Sequence, residues 1–185
     1  MHMRKKILFL TRTALLLAVV IAFQLFGKMI PYNNFIVGPV VNAALLVATA
    51  AAGLWSGIAI SVIAPLVSAF TNKAPLAPLV IAYSPCIIIG NIIIVLAFWL
   101  FRKKIELPGE ITGGILGVIA GSVLKFGFLY GSITIFISMV SDIKPQQAAA
   151  LTSMFSWPQL FTALAGGAIA LAVLRLAGKA LEYRE

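Results

Sequence analysis

A single lysine, Lys125, lies in the middle of a long apolar segment and is the residue of this chain best suited to bind a negative group. About a dozen mostly apolar residues flank it on each side, and a bilayer span takes about 20 residues. A charge at mid-membrane depth costs roughly 2.5–3.5 kcal/mol on insertion scales and usually faces a polar cavity or a partner. The position therefore predicts a binding site, and the positive charge predicts an anionic ligand.

The acidic residues of the chain are poorly placed to neutralise Lys125 internally. All five lie near or outside the ends of the apolar segments, namely Glu106, Glu110, Asp142, Glu182 and Glu185. An internal salt bridge at the depth of Lys125 is therefore not expected. Two alternatives to anion binding stay open, which are a backbone carbonyl partner and a lysine that is neutral because it is buried.

Asn42 and Asn91 are the other polar residues expected at membrane depth. Each is interpreted as a tie between neighbouring helices, through a hydrogen bond worth about 1 kcal/mol. Asn91 is also a candidate ligand contact beside Lys125.

A further group of amide and aromatic side chains is expected near the outer membrane surface. Its members are candidate ligand contacts: Asn33, Asn34, Asn72, Tyr83, Tyr130 and Trp157. The aromatic members have an alternative role as anchors at the membrane interface. Apolar walls with a few convergent donors and one cation are typical of a small-molecule site.

The sequence contains no catalytic constellation. It lacks a Ser/His/Asp set, paired carboxylates at depth, an HExxH pattern and a phosphate-binding GxxxxGK[ST] loop. With His2 and Cys86 as its lone histidine and lone cysteine, an ordinary metal or haem site is not expected either. The prediction is a protein that is not an enzyme and has no cofactor. If it concentrates a solute, the energy must come from a partner or an ion gradient.

The composition is that of an integral membrane protein. The 185 residues are 62% hydrophobic and 10% charged, with a mean hydropathy of +1.08, whereas a soluble domain has about 25% charged residues. Six apolar segments predict an all-α bundle of six transmembrane helices, because continuous apolar runs of this length do not fit alternating barrel strands. They are residues 7–26, 37–55, 57–70, 79–101, 112–137 and 159–176.

The organisation along the chain is one membrane domain with short ends. Residues 7–178 form this domain, after a basic N-terminus at 1–6 that includes a cloning remnant and before a tail at 179–185. The last loop before the sixth segment is long, and Pro145–Phe155 within it is predicted to form a short surface helix.

Basic residues predict that both termini are cytoplasmic. The net charge is +9, and this topology places ten of the 14 Lys and Arg residues inside and three outside, with Lys125 as the fourteenth. The positive charge is therefore interpreted as a topology signal, and no nucleic-acid partner is expected.

Small residues recur at a spacing of four in two of the segments. Ala14, Ala18 and Ala22 share one face of the first helix, where a second helix could approach closely. That second helix belongs either to the same chain or to a partner. Gly113, Gly117 and Gly121 in the fifth segment, and the run ALAGGAIALA in the sixth, are interpreted as internal packing surfaces.

The pattern as a whole resembles the substrate-binding S components of energy-coupling factor (ECF) vitamin transporters. The resemblance covers most of the chain. It includes the basic, apolar six-helix pattern, the alanine series at Ala14, Ala18 and Ala22, and a second and third segment joined by a tight glycine-containing turn in NAALLVATAAAGLWSGIAISVIAPLVSAF.

The resemblance implies a function and a set of partners. It implies a high-affinity, outward-facing site for a small vitamin or micronutrient, closed by the first outer loop, in the cell membrane of a prokaryote. It implies that the alanine series docks onto a transmembrane coupling subunit, which works with two cytoplasmic ATPases. Lys125 is then expected to pair with a carboxylate or phosphate of the ligand.

Two other functions stay open at the level of the sequence. A self-sufficient secondary transporter would want a titratable carboxylate or a sodium site at the midplane. A structural or assembly membrane protein would bind no small molecule, and its Lys125 would line only water.

Overall fold

A computed structural model describes residues 2–27, 34–71, 76–103 and 110–177, and these residues form seven helices and no strand. The helices are α1 His2–Gly27, α2 Asn34–Ala52, α3 Leu54–Thr71, α4 Ala77–Lys103, α5 Glu110–Met139, α6 Pro145–Phe155 and α7 Trp157–Ala177. Six of them correspond to the six predicted segments, and α6 is the predicted short helix. The all-α architecture is therefore confirmed.

The lengths and composition of the helices fit a membrane protein. Five stretches of the described chain are long and apolar enough to cross a bilayer, and the shorter Leu54–Phe70 is apolar as well. The short helix α6 differs from its prediction in one respect, because Leu151 and Phe155 are buried rather than at the surface. The orientation of the termini across the membrane stays a prediction.

The boundary between α2 and α3 lies earlier than predicted because of one glycine. Gly53 has a φ of 98°, a left-handed conformation that residues with a Cβ atom rarely adopt. This conformation ends α2 at Ala52. Trp55 consequently belongs to α3 rather than to α2. The tight glycine turn expected between these helices is present.

The first helix is tied to this turn by polar side chains. The Arg12 guanidinium donates to the carbonyl of Ala51 in the last turn of α2, where a positive group is favoured by the helix dipole. At the next residue of α1, the hydroxyls of Thr13 and Ser56 share a hydrogen bond of 2.6 Å. These contacts fix the N-terminal half of α1 against the joint between α2 and α3.

Proline interrupts the hydrogen bonding of α4 without ending the helix. Pro85 has no N–H for the carbonyl of Ile81, and the Ser84 hydroxyl donates to that carbonyl instead, at 2.7 Å. The helix therefore continues through Pro85 and carries Asn91 further into the bundle.

Glycines let α5 lie closely against α4. A Cβ at Gly113 would stand 2.5 Å from the Phe101 carbonyl oxygen, and one at Gly117 would stand 2.9 Å from the Phe98 Cα. A Cβ at Gly121 would be 3.1 Å from the Ile94 Cα. The predicted internal packing of this glycine series is confirmed.

Candidate functional site

A cavity of about 440 Å³ lies among the helices, and all seven contribute to its lining. Its volume is within the range of roughly 300–1,000 Å³ that small-molecule pockets occupy. The polar part of the lining consists of Gln24, Asn42, Ser68, Asn91, Lys125, Gln159 and Thr162.

Lys125 is the ionisable side chain among the described residues of this lining. Only 3% of the residue is exposed, and its Nζ donates to the Oδ1 of Asn42 at 2.7 Å and to the Oδ1 of Asn91 at 2.8 Å. An ammonium has three N–H donors, so two are used by these amides. No carboxylate occurs in the described lining, and the two acceptors are neutral. The two amide dipoles of Asn42 and Asn91 therefore hold the amine without an opposite charge among the described lining residues.

Asn42 is oriented towards Lys125 by its own helix. Its Nδ2 donates to the carbonyl of Gly38 at 2.9 Å, which directs Oδ1 to the lysine. Gly166 of α7 permits this arrangement, because a Cβ there would stand 2.6 Å from both the Asn42 Cβ and the Pro39 carbonyl oxygen. The position of Asn42 therefore depends on the close approach of α7 to α2.

Asn91 reaches Lys125 because α4 and α5 meet closely beside it. A Cβ at the preceding residue, Gly90, would lie 3.0 Å from the Cγ of Leu129 on α5. Leu129 is one helical turn beyond Lys125 and is fully buried. The same contact surface thus brings the two polar side chains within hydrogen-bond distance.

Gln24 of α1 is a second buried polar group in the lining. Its Nε2 donates to the carbonyl of Ala64 on α3 at 3.1 Å, and the residue is only 6% exposed. Its Oε1 is buried and has no hydrogen-bond partner among the described residues. Most buried side-chain polar atoms are paired, so this unpaired acceptor on a residue that lines the cavity is an exception.

The remaining walls of the cavity are mainly apolar. They include Val37 and Val41 from α2, Val80 and Ile87 from α4, and Phe155 from α6. The arrangement combines one amine, several neutral hydrogen-bonding groups and hydrocarbon surfaces. It suits a small amphipathic molecule with a negative end.

Two of the residues predicted to contact a ligand, Lys125 and Asn91, come together in this cavity. Asn42, interpreted from the sequence as a tie between helices, does join α2 to α5 and also lines the cavity. A ligand role for these residues stays a prediction. Gln24 was missed, although a polar side chain inside the apolar first segment was a signal that could have revealed it.

The structure places three predicted aromatic contacts away from the described lining. Tyr83 is fully buried, and its hydroxyl donates to the Leu129 carbonyl at 2.9 Å and shares a hydrogen bond with Ser132. Tyr130 is 48% exposed, and Trp157 is 61% exposed at the start of α7. Exposure of this kind fits the alternative role of membrane-interface anchor.

The predicted loop contacts fall outside the side chains that the structure describes. Asn33 and Asn72 lie outside the described residues, and so does the side chain of Asn34, the first residue of α2. Their ligand contacts stay predictions.

The alanine series of α1 is turned largely outwards. Ala14 and Ala18 are exposed, and Ala22 is partly buried. Val20 and Gln24, in contrast, are buried against the rest of the bundle. Packing against the described residues therefore leaves Ala14 and Ala18 exposed, and docking to a partner stays a prediction for them.

The comparison with protein families agrees with the architecture and the cavity. The family model of the ECF transporter substrate-specific component matches residues 8–177, which include all the described helices except the first six residues of α1. Neither the curated proteins nor the solved structures gave a significant match. Since the match spans nearly the whole chain, this protein belongs to the substrate-specific components of ECF transporters, the membrane-embedded subunits that bind the transported substrate.

Proposed function

We propose that the chain binds a small anionic vitamin or micronutrient for uptake, and that Lys125 pairs with the negative group of that ligand. One observation carries the proposal: a lysine that is 3% exposed lines the cavity without a carboxylate among the described lining residues. The family membership supports a binding subunit, and the lysine supports the charge of what it binds.

The energetics of burial favour an anion over a neutral ligand. A buried charge is costly unless it is paired, and membrane depth makes that cost larger. Asn42 and Asn91 supply oxygen dipoles to Lys125 but no opposite charge. A ligand carboxylate or phosphate at the remaining N–H would form a charge-assisted hydrogen bond, which is stronger than a neutral one.

We further propose that α1 docks onto a transmembrane coupling subunit that works with two cytoplasmic ATPases. The outward position of Ala14 and Ala18 supports this, because small exposed residues let a second helix approach closely in lipid. Cytoplasmic termini fit the same scheme. They place Arg12 and the joint between α2 and α3 on the inner side, in keeping with the bias of basic residues.

Native mass spectrometry of the gently purified full chain tests the proposed function. The expected result is one small molecule retained per chain, carrying at least one acidic group. A chain that emerges without any retained molecule, and that also ignores a panel of anionic vitamins in solution, would overturn the proposal.

A further inference from the structure

We infer that the cavity is built for a compact monocarboxylate with an aliphatic body and an N–H or O–H donor that reaches Gln24. This inference rests on the proposed function and narrows its ligand to one chemical class. Three features of the described lining carry it: the number of charges, one unpaired acceptor and the nature of the walls.

The number of charges points to a ligand with a single negative charge. Lys125 is the only cationic residue in the described lining. A carboxylate carries one charge at neutral pH, whereas a phosphate monoester carries about 1.5 to 2. A phosphate or diphosphate would therefore bring excess negative charge into a site surrounded by apolar helices, where uncompensated charge is disfavoured. One carboxylate matches one ammonium.

The unpaired acceptor points to a donor elsewhere on the ligand. The Gln24 amide nitrogen is occupied by the Ala64 carbonyl, so the amide cannot turn over without losing that bond. Its Oε1 therefore remains an acceptor, buried and without a partner among the described residues. Gln24 lines the same cavity as Lys125 but comes from α1 rather than α5. A ligand held at both points needs an acid at one end and a donor at a distance from it.

The walls point to an aliphatic body. Val37, Val41, Val80 and Ile87 present branched hydrocarbon surfaces to the cavity. The described lining includes neither tryptophan nor tyrosine, and the ring of Phe155 already packs on that of Tyr83, with centroids 4.7 Å apart. Aromatic stacking, which a large flat ligand would use, has little support from these residues.

Equilibrium binding to the purified full chain tests the predicted charge of the ligand and its predicted aliphatic part. Pantothenate and biotin are the aliphatic monocarboxylate probes, and both carry hydrogen-bond donors. Pantothenol and biotinamide are their neutral counterparts. Riboflavin 5′-phosphate and pyridoxal 5′-phosphate represent phosphate esters. We expect one of the two acids to bind at least 30-fold more tightly than its neutral counterpart and than either phosphate ester.

Two results would overturn the inference, and they differ in what they imply for the proposed function. A phosphate ester that binds more tightly than both acids would refute the monocarboxylate but leave an anionic ligand in place. Binding of a neutral counterpart as tightly as its acid would refute the role of charge, and the proposed function would fail with it.

The role of Gln24 is tested by comparing the bound acid with its N-methylated analogue. The wild-type chain is expected to prefer the unmethylated acid at least 10-fold, and Gln24→Leu is expected to lose this preference. A merely structural role for Gln24 would weaken both compounds equally in the variant. Equal binding of the two compounds by the wild-type chain refutes the donor contact without the need for any variant.

Discussion

Asn42 and Lys125 are 83 residues apart in the sequence, yet the asparagine Oδ1 accepts a hydrogen bond of 2.7 Å from the lysine Nζ. This contact joins α2 to α5 inside the bundle, and Asn91 adds a second acceptor from α4. The three side chains form a polar centre in a protein that is otherwise mostly apolar. The first two predictions concern this centre.

Replacing Lys125 with methionine should abolish most ligand binding. Truncating one partner of a buried, hydrogen-bonded charge pair costs about 2–5 kcal/mol, so we expect the affinity to fall about 30-fold or more. The free energy of unfolding should change less than the free energy of binding, although Asn42 and Asn91 lose their donor. Affinity is measured by equilibrium binding of the retained ligand, and stability by thermal unfolding. Lys103→Met, at an exposed lysine near the end of α4, is the control. An unchanged affinity in Lys125→Met contradicts the electrostatic role.

Replacing Asn91 with aspartate should supply Lys125 with an internal counter-charge. The new carboxylate would occupy the position of the present Oδ1, 2.8 Å from the lysine Nζ, and would compete with an anionic ligand. We expect ligand binding to fall at least 10-fold while thermal stability is kept. Asn91→Ala, which removes the acceptor without adding charge, should instead lower stability. Wild-type affinity in the aspartate variant would show that the ligand does not neutralise Lys125.

Gly166→Ala should disturb the site by forcing α7 away from α2 beside Asn42. The added Cβ would stand 2.6 Å from the Pro39 carbonyl oxygen and from the Asn42 Cβ, so α7 must move away from α2. Overpacking of this kind costs typically about 1–3 kcal/mol, and both thermal stability and ligand affinity should fall. Gly127→Ala is the matched control, because apart from its own stretch of α5 nothing lies within 4 Å of its added Cβ. It should be neutral or stabilise α5 by up to about 1 kcal/mol. Equal effects of the two variants would refute the packing role of Gly166.

Tyr83→Phe distinguishes between a structural role and a ligand-binding role of Tyr83. The hydroxyl bonds the Leu129 carbonyl and Ser132 rather than lining the described cavity. Its removal should lower the free energy of unfolding by about 1 kcal/mol, the usual net worth of such a hydrogen bond, and leave ligand affinity within twofold. A drop in affinity without a loss of stability would restore the ligand role predicted from the sequence.

Ala18→Trp should prevent assembly without affecting the cavity. A large side chain on the exposed face of α1 keeps a partner helix at a distance, so we expect at least 10-fold weaker co-purification with the coupling subunit and loss of uptake. Ligand affinity of the isolated chain should not change. Phe23→Trp is the control, since this exposed residue lies away from the alanine series on α1. If Ala18→Trp assembles normally, the series is not the docking surface.

The general architecture and the central residue could be predicted from the sequence because their signals are local. Long apolar runs leave no alternative to helices in lipid, and Lys125 is conspicuous as one charge within such a run. The side-chain contacts within the site have no signal in the neighbouring sequence, because they join residues that are far apart in the chain. The role of Asn42 depends on the approach of α7 at Gly166, and the Tyr83 hydroxyl is bound by α5. Gln24 is visible in the sequence only as a polar residue within an apolar segment, and its hydrogen bond to the Ala64 carbonyl appears only in the structure.

The contribution of all seven helices to one cavity has a thermodynamic consequence for transport. A ligand that binds only the folded bundle stabilises it by about 2.7 kcal/mol at 100 times its dissociation constant, and here that gain is shared by every helix. A ligand in this cavity would therefore fill part of the protein interior and contact every helix. Release of such a ligand would return this free energy and would remove contacts from every helix that lines the cavity.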